Sequence, residues 1–158
     1  MDPFLQGITF DEKLAYQNVV SRRAKFHYSK LGEQLESFVS DVVRVGGTPR
    51  GPYFYSLNNV PLDEITDIEF FLPIQESVLR PDQGMQFHSY FEICPLAAGI
   101  VKGDVESQTE LVYAQLLAAL DSRGLVINAP FFHAFPSDRS KYASVYLGYV
   151  DPAEGIDS

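Results

Sequence analysis

Ser107-Gln108-Thr109-Glu110-Leu111-Val112-Tyr113-Ala114-Gln115-Leu116-Leu117-Ala118-Ala119-Leu120-Asp121-Ser122-Arg123-Gly124 reads as a helix with both ends marked. Ser107 to Glu110 has the form of a capping box, in which side-chain oxygens pair with first-turn amides. Tyr113, Leu116, Leu117 and Leu120 recur at the spacing of one buried helical face. Gly124 stands where a left-handed residue ends a helix. This predicts a helix over 107–123.

The same grammar occurs 78 residues earlier without a gap. A helix is expected from Lys30 to Val45, with Leu35, Phe38, Val39 and Val42 as its apolar face and Gly46-Gly47 as its stop. Ser29 matches Ser107 as an N-cap, and Gly46 matches Gly124. The match runs into the next strand, pairing Pro52 with Pro130, Tyr53 with Phe131, Phe54 with Phe132 and Leu57 with Phe135. The identities fall on caps and turns, where physics narrows the choice of residue. A duplication of a strand–helix–strand–strand unit follows.

The remaining strands fit this plan. Asn18 to Tyr28 precedes the first helix. Thr66 to Leu72 alternates Asp67, Glu69 and Phe71 against Ile68, Phe70 and Leu72, the period of a strand. Met85 to Ile93 alternates as well, Pro95 interrupts, and Leu96 to Lys102 resumes before the second helix. Tyr142 to Tyr149 closes the sheet. Gln75 to Gly84 is the joining loop, and Asp63 to Asp67 decorates a turn and a strand entry. The fold class expected is α+β: duplicated units forming an antiparallel sheet with two helices on one face. One domain is expected over residues 1–150, built of pseudo-repeats at about 18–75 and 85–150, with 151–158 as a flexible acidic tail.

The chain has 158 residues, 46% of them apolar, enough for a real core. Lys and Arg number 12 against 21 Asp and Glu, a net charge of −9, which argues against a nucleic-acid partner. Asp151, Glu154 and Asp157 place part of that excess in the tail. Cys94 is the single cysteine, so an internal disulfide is excluded, and it reads as a small buried hydrophobe beside Pro95. His27, His88 and His133 form no ligand-spaced motif, so neither a metal nor another cofactor is expected. No stretch is long and apolar enough for a membrane span; Phe91 to Val101, the longest candidate, carries Glu92 and Pro95. With no signal peptide visible, a soluble cytoplasmic protein is expected.

Strand parity then selects candidate site residues. With Phe54, Ile68, Phe70, Leu72, Phe132, Val145 and Leu147 assigned to the helices, the opposite face carries Tyr53, Tyr55, Glu69, Phe71, Phe131, His133, Ser144 and Tyr146. One carboxylate among phenols and rings is a binding-site composition. Aromatic faces attract cations, and a carboxylate among them loses hydration until an organic cation arrives. Glu69 is the leading functional residue, with Tyr53, Tyr55, Phe71, Tyr113, Phe131, His133 and Tyr146 as walls. The plainer readings are that Glu69 is a solvated strand residue, that the rings pack across strands, and that His133 is a satisfied histidine.

The pattern resembles the GyrI-like (gyrase-inhibitor-like) small-molecule-binding domain, also the effector domain of multidrug-responsive transcription regulators. The resemblance rests on Gly46-Gly47-Thr48-Pro49-Arg50-Gly51-Pro52-Tyr53-Phe54-Tyr55 and Asp67-Ile68-Glu69-Phe70-Phe71-Leu72-Pro73-Ile74. In the second half it rests on Ala97 to Gly103, the helix to Gly124, and Ala129-Pro130-Phe131-Phe132. It covers roughly residues 18–150. It implies that Glu69, in Glu69-Phe70-Phe71-Leu72-Pro73-Ile74, is the buried glutamate of that family. Ser144-Val145-Tyr146-Leu147-Gly148-Tyr149 departs from the pattern, with Ser144 in the glutamate place and Gly148 in the proline place. No helix-turn-helix fits before Asn18, so the resemblance implies a stand-alone bacterial member. Some such members hydrolyse reactive small molecules, and some are encoded near polymorphic-toxin secretion genes.

Three functions follow. The first is non-catalytic binding of an amphipathic small molecule, a cation by preference. The second is a small-molecule hydrolase in the same cleft, with Glu69 as general base and Tyr55 or Tyr146 as hydrogen-bond donor. The third is an accessory role, in which the aromatic face meets a protein partner or a second copy of the chain.

Overall fold

The structure, a computed structural model, describes residues 7–59, 64–101, 105–134 and 143–153, without the side chains of 105–107. Its elements are β1 (Thr9–His27), α1 (Leu31–Arg44), β2 (Phe54–Leu57), β3 (Ile65–Pro73), β4 (Met85–Val101), α2 (Val105–Ser122), β5 (Val126–Ala134) and β6 (Ala143–Val150). Two helices with antiparallel strands make the fold α+β. Contacts divide the chain into a first unit, Ala15–Glu92, and a second unit, Met1–Leu14 with Ile93–Ser158. The division cuts β1 and β4 partway along, so each of these strands serves both units.

In the first unit β3 is central, with β1 and β2 antiparallel on either side. Ile68, Phe70 and Leu72 point to α1 and pack with its Phe38 and Val42, together with Val20 and Phe26 of β1. Phe70 lies 5.8 Å from Phe38 and 6.1 Å from Phe26, ring centre to ring centre. Arg22 fastens the helix to the sheet: its guanidinium stands 5.4 Å over the Phe38 ring and donates to Asp41 at 2.6 Å.

In the second unit β6 is central, between β4 and β5. Val145 and Leu147 pack against Val112, Leu116 and Leu120 of α2. Element order, strand order and register match those of the first unit. Val19 faces Pro73 as Leu96 faces Gly148, and Phe54 faces Phe71 as Phe132 faces Tyr146. The helix stops match too. Gly46 and Gly124 take φ of +102° and +68°. The Gly47 amide donates to the Val42 carbonyl at 2.9 Å, as the Leu125 amide does to Leu120 at 3.0 Å.

The chief difference between the units lies opposite Gly148. The β5–β6 register slips between Ile127 and Phe131, so residues 128–130 arch over that position. A Cβ on Gly148 would sit 2.5 Å from Ala129 Cβ and 2.9 Å from Asn128 Oδ1. Gly148→Ala is therefore expected to cost about 1–3 kcal/mol through overpacking, read as a lowered midpoint in urea unfolding. An unchanged midpoint would mean that the arch yields freely.

Several expectations are corrected. β1 begins at Thr9, not near Asn18; Asp11 and Asn18, both at φ +59°, break its alternation, and their short polar side chains tolerate that conformation. β4 continues through Pro95 as one strand of 17 residues. α1 is N-capped by Lys30 rather than Ser29, whose hydroxyl instead bonds the His27 ring at 2.8 Å. α2 begins at Val105, so Ser107 lies within it and is not its cap. Leu117 is exposed and Val112 takes its place inside. Cys94 is exposed, not buried. Phe135, Tyr142, Lys102, Asp63 and tail residues 154–158 lie outside the described residues.

Candidate ligand site

Directly opposed residues of an antiparallel pair share a face. On β3, Asp67, Glu69 and Phe71 therefore look away from α1, and their β1 partners Lys25, Arg23 and Ser21 look with them. On β2 the partners of Glu69 and Phe71 are Ser56 and Phe54. Phe54 thus lies on the glutamate's face, and Tyr53 and Tyr55 lie on the helix side, packed against the first core. β5 is reversed in the same way. Phe131 and His133 oppose Leu147 and Val145 on the α2 side, and Phe132 opposes Tyr146 on the other. The expected parity of both strands is corrected. Tyr53-Phe54-Tyr55 and Phe131-Phe132-His133 are aromatic on both faces, so neither offers the polar–apolar contrast from which parity is read.

The eight expected residues therefore fall into separate groups. Glu69 and Phe71 stay together. Tyr53 and Tyr55 share the α1 side, where Tyr55 meets Phe70 edge-on at 6.2 Å and burial raises its hydroxyl pKa. Tyr113 of α2 and Phe131 and His133 of β5 form a cluster in which His133 is buried and the two other rings are partly buried. The Tyr113 and Phe131 rings stack at 3.9 Å, and the Tyr113 hydroxyl is hydrogen-bonded to His133 Nε2. His133 is 7% exposed, and burial lowers its pKa to about 4. Tyr146 looks the other way from α2. Tyr55, on the opposite face from Glu69, is not placed to donate a hydrogen bond beside it.

The face around Glu69 gains residues that sequence reading missed. Phe54 and Phe71 stack at 4.8 Å, Phe91 lies 4.8 Å from Phe71, and Tyr16 stacks on Phe54 at 5.3 Å. Beside these rings stands a polar group. Ser21 Oγ is 2.8 Å from His88 Nε2. Arg23 donates through Nε and Nη2 to both oxygens of Asp67, at 2.9 and 2.8 Å, and this holds the Asp67 carboxyl below its usual range. Glu69, half-buried opposite Arg23, has no hydrogen bond to a described residue. Asp67 is paired to Arg23 through two bonds, whereas Glu69 on the same face makes no ion pair with a described residue. Among the described residues no cluster of three His, Cys, Asp or Glu is placed to hold a metal ion, and no helix is long and apolar enough to cross a membrane.

The family model described as a domain of unknown function (DUF5085) matches residues 15–151. The chain belongs to the DUF5085 family. No curated protein matches this DUF5085 chain. Its fold is shared with the EcmrR C-terminal domain, at a TM-score of 0.71 and 12% identity, over 91% of this chain and 97% of that one. A complex of EcmrR with DNA matches at 0.73 and 13% identity, over 90% of this chain and 56% of that one. The DUF5085 chain thus spans little more than half the length of the EcmrR chain in that complex. A hydrolase from Listeria innocua matches at 0.54 and 12% identity, over 90% of each chain.

Proposed function

We propose that this chain is a non-catalytic binding module for an amphipathic small molecule, with a cation preferred. The observation that carries the reading is the meeting on one sheet face of the Glu69 carboxylate with the ring cluster of Tyr16, Phe54, Phe71 and Phe91. The likeness in fold to the EcmrR C-terminal domain supports it as analogy. In this reading Glu69 neutralises the ligand's charge and the partly exposed Tyr16 and Phe91 rings, backed by the buried Phe54 and Phe71, meet its apolar part, an arrangement whose attraction strengthens as water is excluded. The pseudo-repeats at about 18–75 and 85–150 then serve unequally, because Ser144 holds the glutamate's place in the second.

The test is thermal shift with cationic aromatic dyes such as ethidium and rhodamine 6G, on the native chain and on Glu69→Gln. Dyes are expected to raise the melting temperature of the native chain and to do so weakly in the variant, with about tenfold lower affinity for a lost charge-assisted contact. Equal stabilisation of both proteins would refute charge recognition by Glu69.

A further inference from the structure

The second unit carries a depression of about 600 Å³ unrelated to Glu69, within the volume range of small-molecule sites. Arg123, just past the end of α2, enters it with its guanidinium 3.7 Å from the centre of the Phe10 ring. That stacking occupies one face of the guanidinium and leaves its N–H edges in plane, the geometry that grips a carboxylate with two bonds. Among the described residues the guanidinium has no ion pair and no hydrogen bond.

The acids nearby are already engaged. Asp11 receives the Tyr149 hydroxyl at 3.2 Å while its own amide donates to that oxygen at 3.1 Å. Asp151 accepts the Ala153 amide at 2.9 Å within its own turn. Among the described residues the side-chain donors of the depression left without a bond are the guanidinium and the amide of Asn128, carried on the arch over Gly148, while Asp11 and Asp151 keep open acceptor positions. Leu125, Pro95 and Val150 add apolar wall.

We infer that this depression is a second binding site, which takes an amphipathic monocarboxylate. The carboxylate pairs with the N–H edge of Arg123, and the apolar body lies against Leu125 and Val150. One cation stands there against Asp11 and Asp151, which oppose any anion, so a dianion such as a phosphate monoester is disfavoured more than a monocarboxylate, whose single charge the guanidinium matches. The preference is opposite in sign to that proposed at Glu69.

Cys94 is exposed, lines the same depression and is the single cysteine of the chain, so its alkylation reports occupancy of this place. The experiment measures the rate of N-ethylmaleimide labelling of the intact protein against increasing 2-naphthoate. Naphthoate is expected to slow labelling, and 2-naphthamide, with the same body and no charge, to require about tenfold more. Arg123→Gln is expected to lose that protection, and Glu69→Gln to keep it. Asp151→Asn, which removes a competing acid, is expected to tighten naphthoate a few-fold. Circular dichroism and melting curves establish that each variant is folded. Absence of protection, equal protection by the amide, equal protection in folded Arg123→Gln, or no gain in Asp151→Asn would overturn the proposal. A loss confined to Glu69→Gln would do so too, because it would place the anion at the other face.

Discussion

Phe70→Ala is expected to destabilise the protein by about 3–5 kcal/mol, the range for truncating a buried aromatic side chain. Phe70 is 1% exposed and sits where three elements meet: Phe38 of α1 and Phe26 of β1 lie along its faces, and Tyr55 of β2 meets its edge. Removing the ring takes away its own burial and leaves a space that flanking aromatic rings, held by their own packing, fill poorly. Urea unfolding measures the loss as a lower midpoint. Phe70→Leu, which keeps most of the volume, should lose markedly less. Similar losses for the two would mean that the core collapses around the site, and that the stacked rings are not a rigid frame.

The second large effect is a pH dependence centred on His133. Its pKa is lowered by burial to about 4, against an ordinary 6.5. The native state therefore holds the ring neutral over a range in which the unfolded chain binds a proton. Stability is full above the unfolded value and is lost as pH falls from 6.5 toward 4. Linkage makes the loss about 3 kcal/mol by pH 4. His133→Gln keeps a hydrogen-bonding group for Tyr113 but does not titrate. Urea unfolding of both proteins from pH 8 to pH 4 should show the native chain losing about 3 kcal/mol relative to the variant, beyond the acid sensitivity they share. Parallel curves would mean that the imidazole is protonated in the folded protein and reaches solvent. A loss of that size would mark the cluster as a structural device.

Legibility in the sequence followed the strength of local contrast. The helices could be read because their stops need left-handed residues, and glycine supplies them at Gly46 and Gly124. β3 could be read because Asp67 and Glu69 alternate with Ile68 and Phe70. The expected opposition of Glu69 and Phe71 to the helix holds for the same reason. β2 could not be oriented, because Tyr53, Phe54 and Tyr55 suit either face. The correction exchanges two tyrosines for Phe54 on the face of the glutamate. The first part of β1 stayed hidden because Asp11-Glu12-Lys13 has no apolar partner positions and Asn18 resets the alternation. The role of Arg23 beside Glu69 depends on the β1–β3 register, which neither strand specifies alone. The Arg123 depression is less visible still, since it joins Phe10 to Tyr149 from opposite ends of the chain.

That joining bears on the order in which the protein is made. All of Ala15–Glu92 has been synthesised before the second unit has more than its opening strand. The second unit waits for the last strand to return to the first, and Asp11 meets Tyr149 across 138 residues. Contacts of such span are slow to form, because a long loop must close before they contribute. On the ribosome, the β3-centred half can assemble while Phe10 and Asp11 have nothing to pack against. The pocket around Arg123 therefore forms only after Tyr149 has been made, later than the β3-centred half.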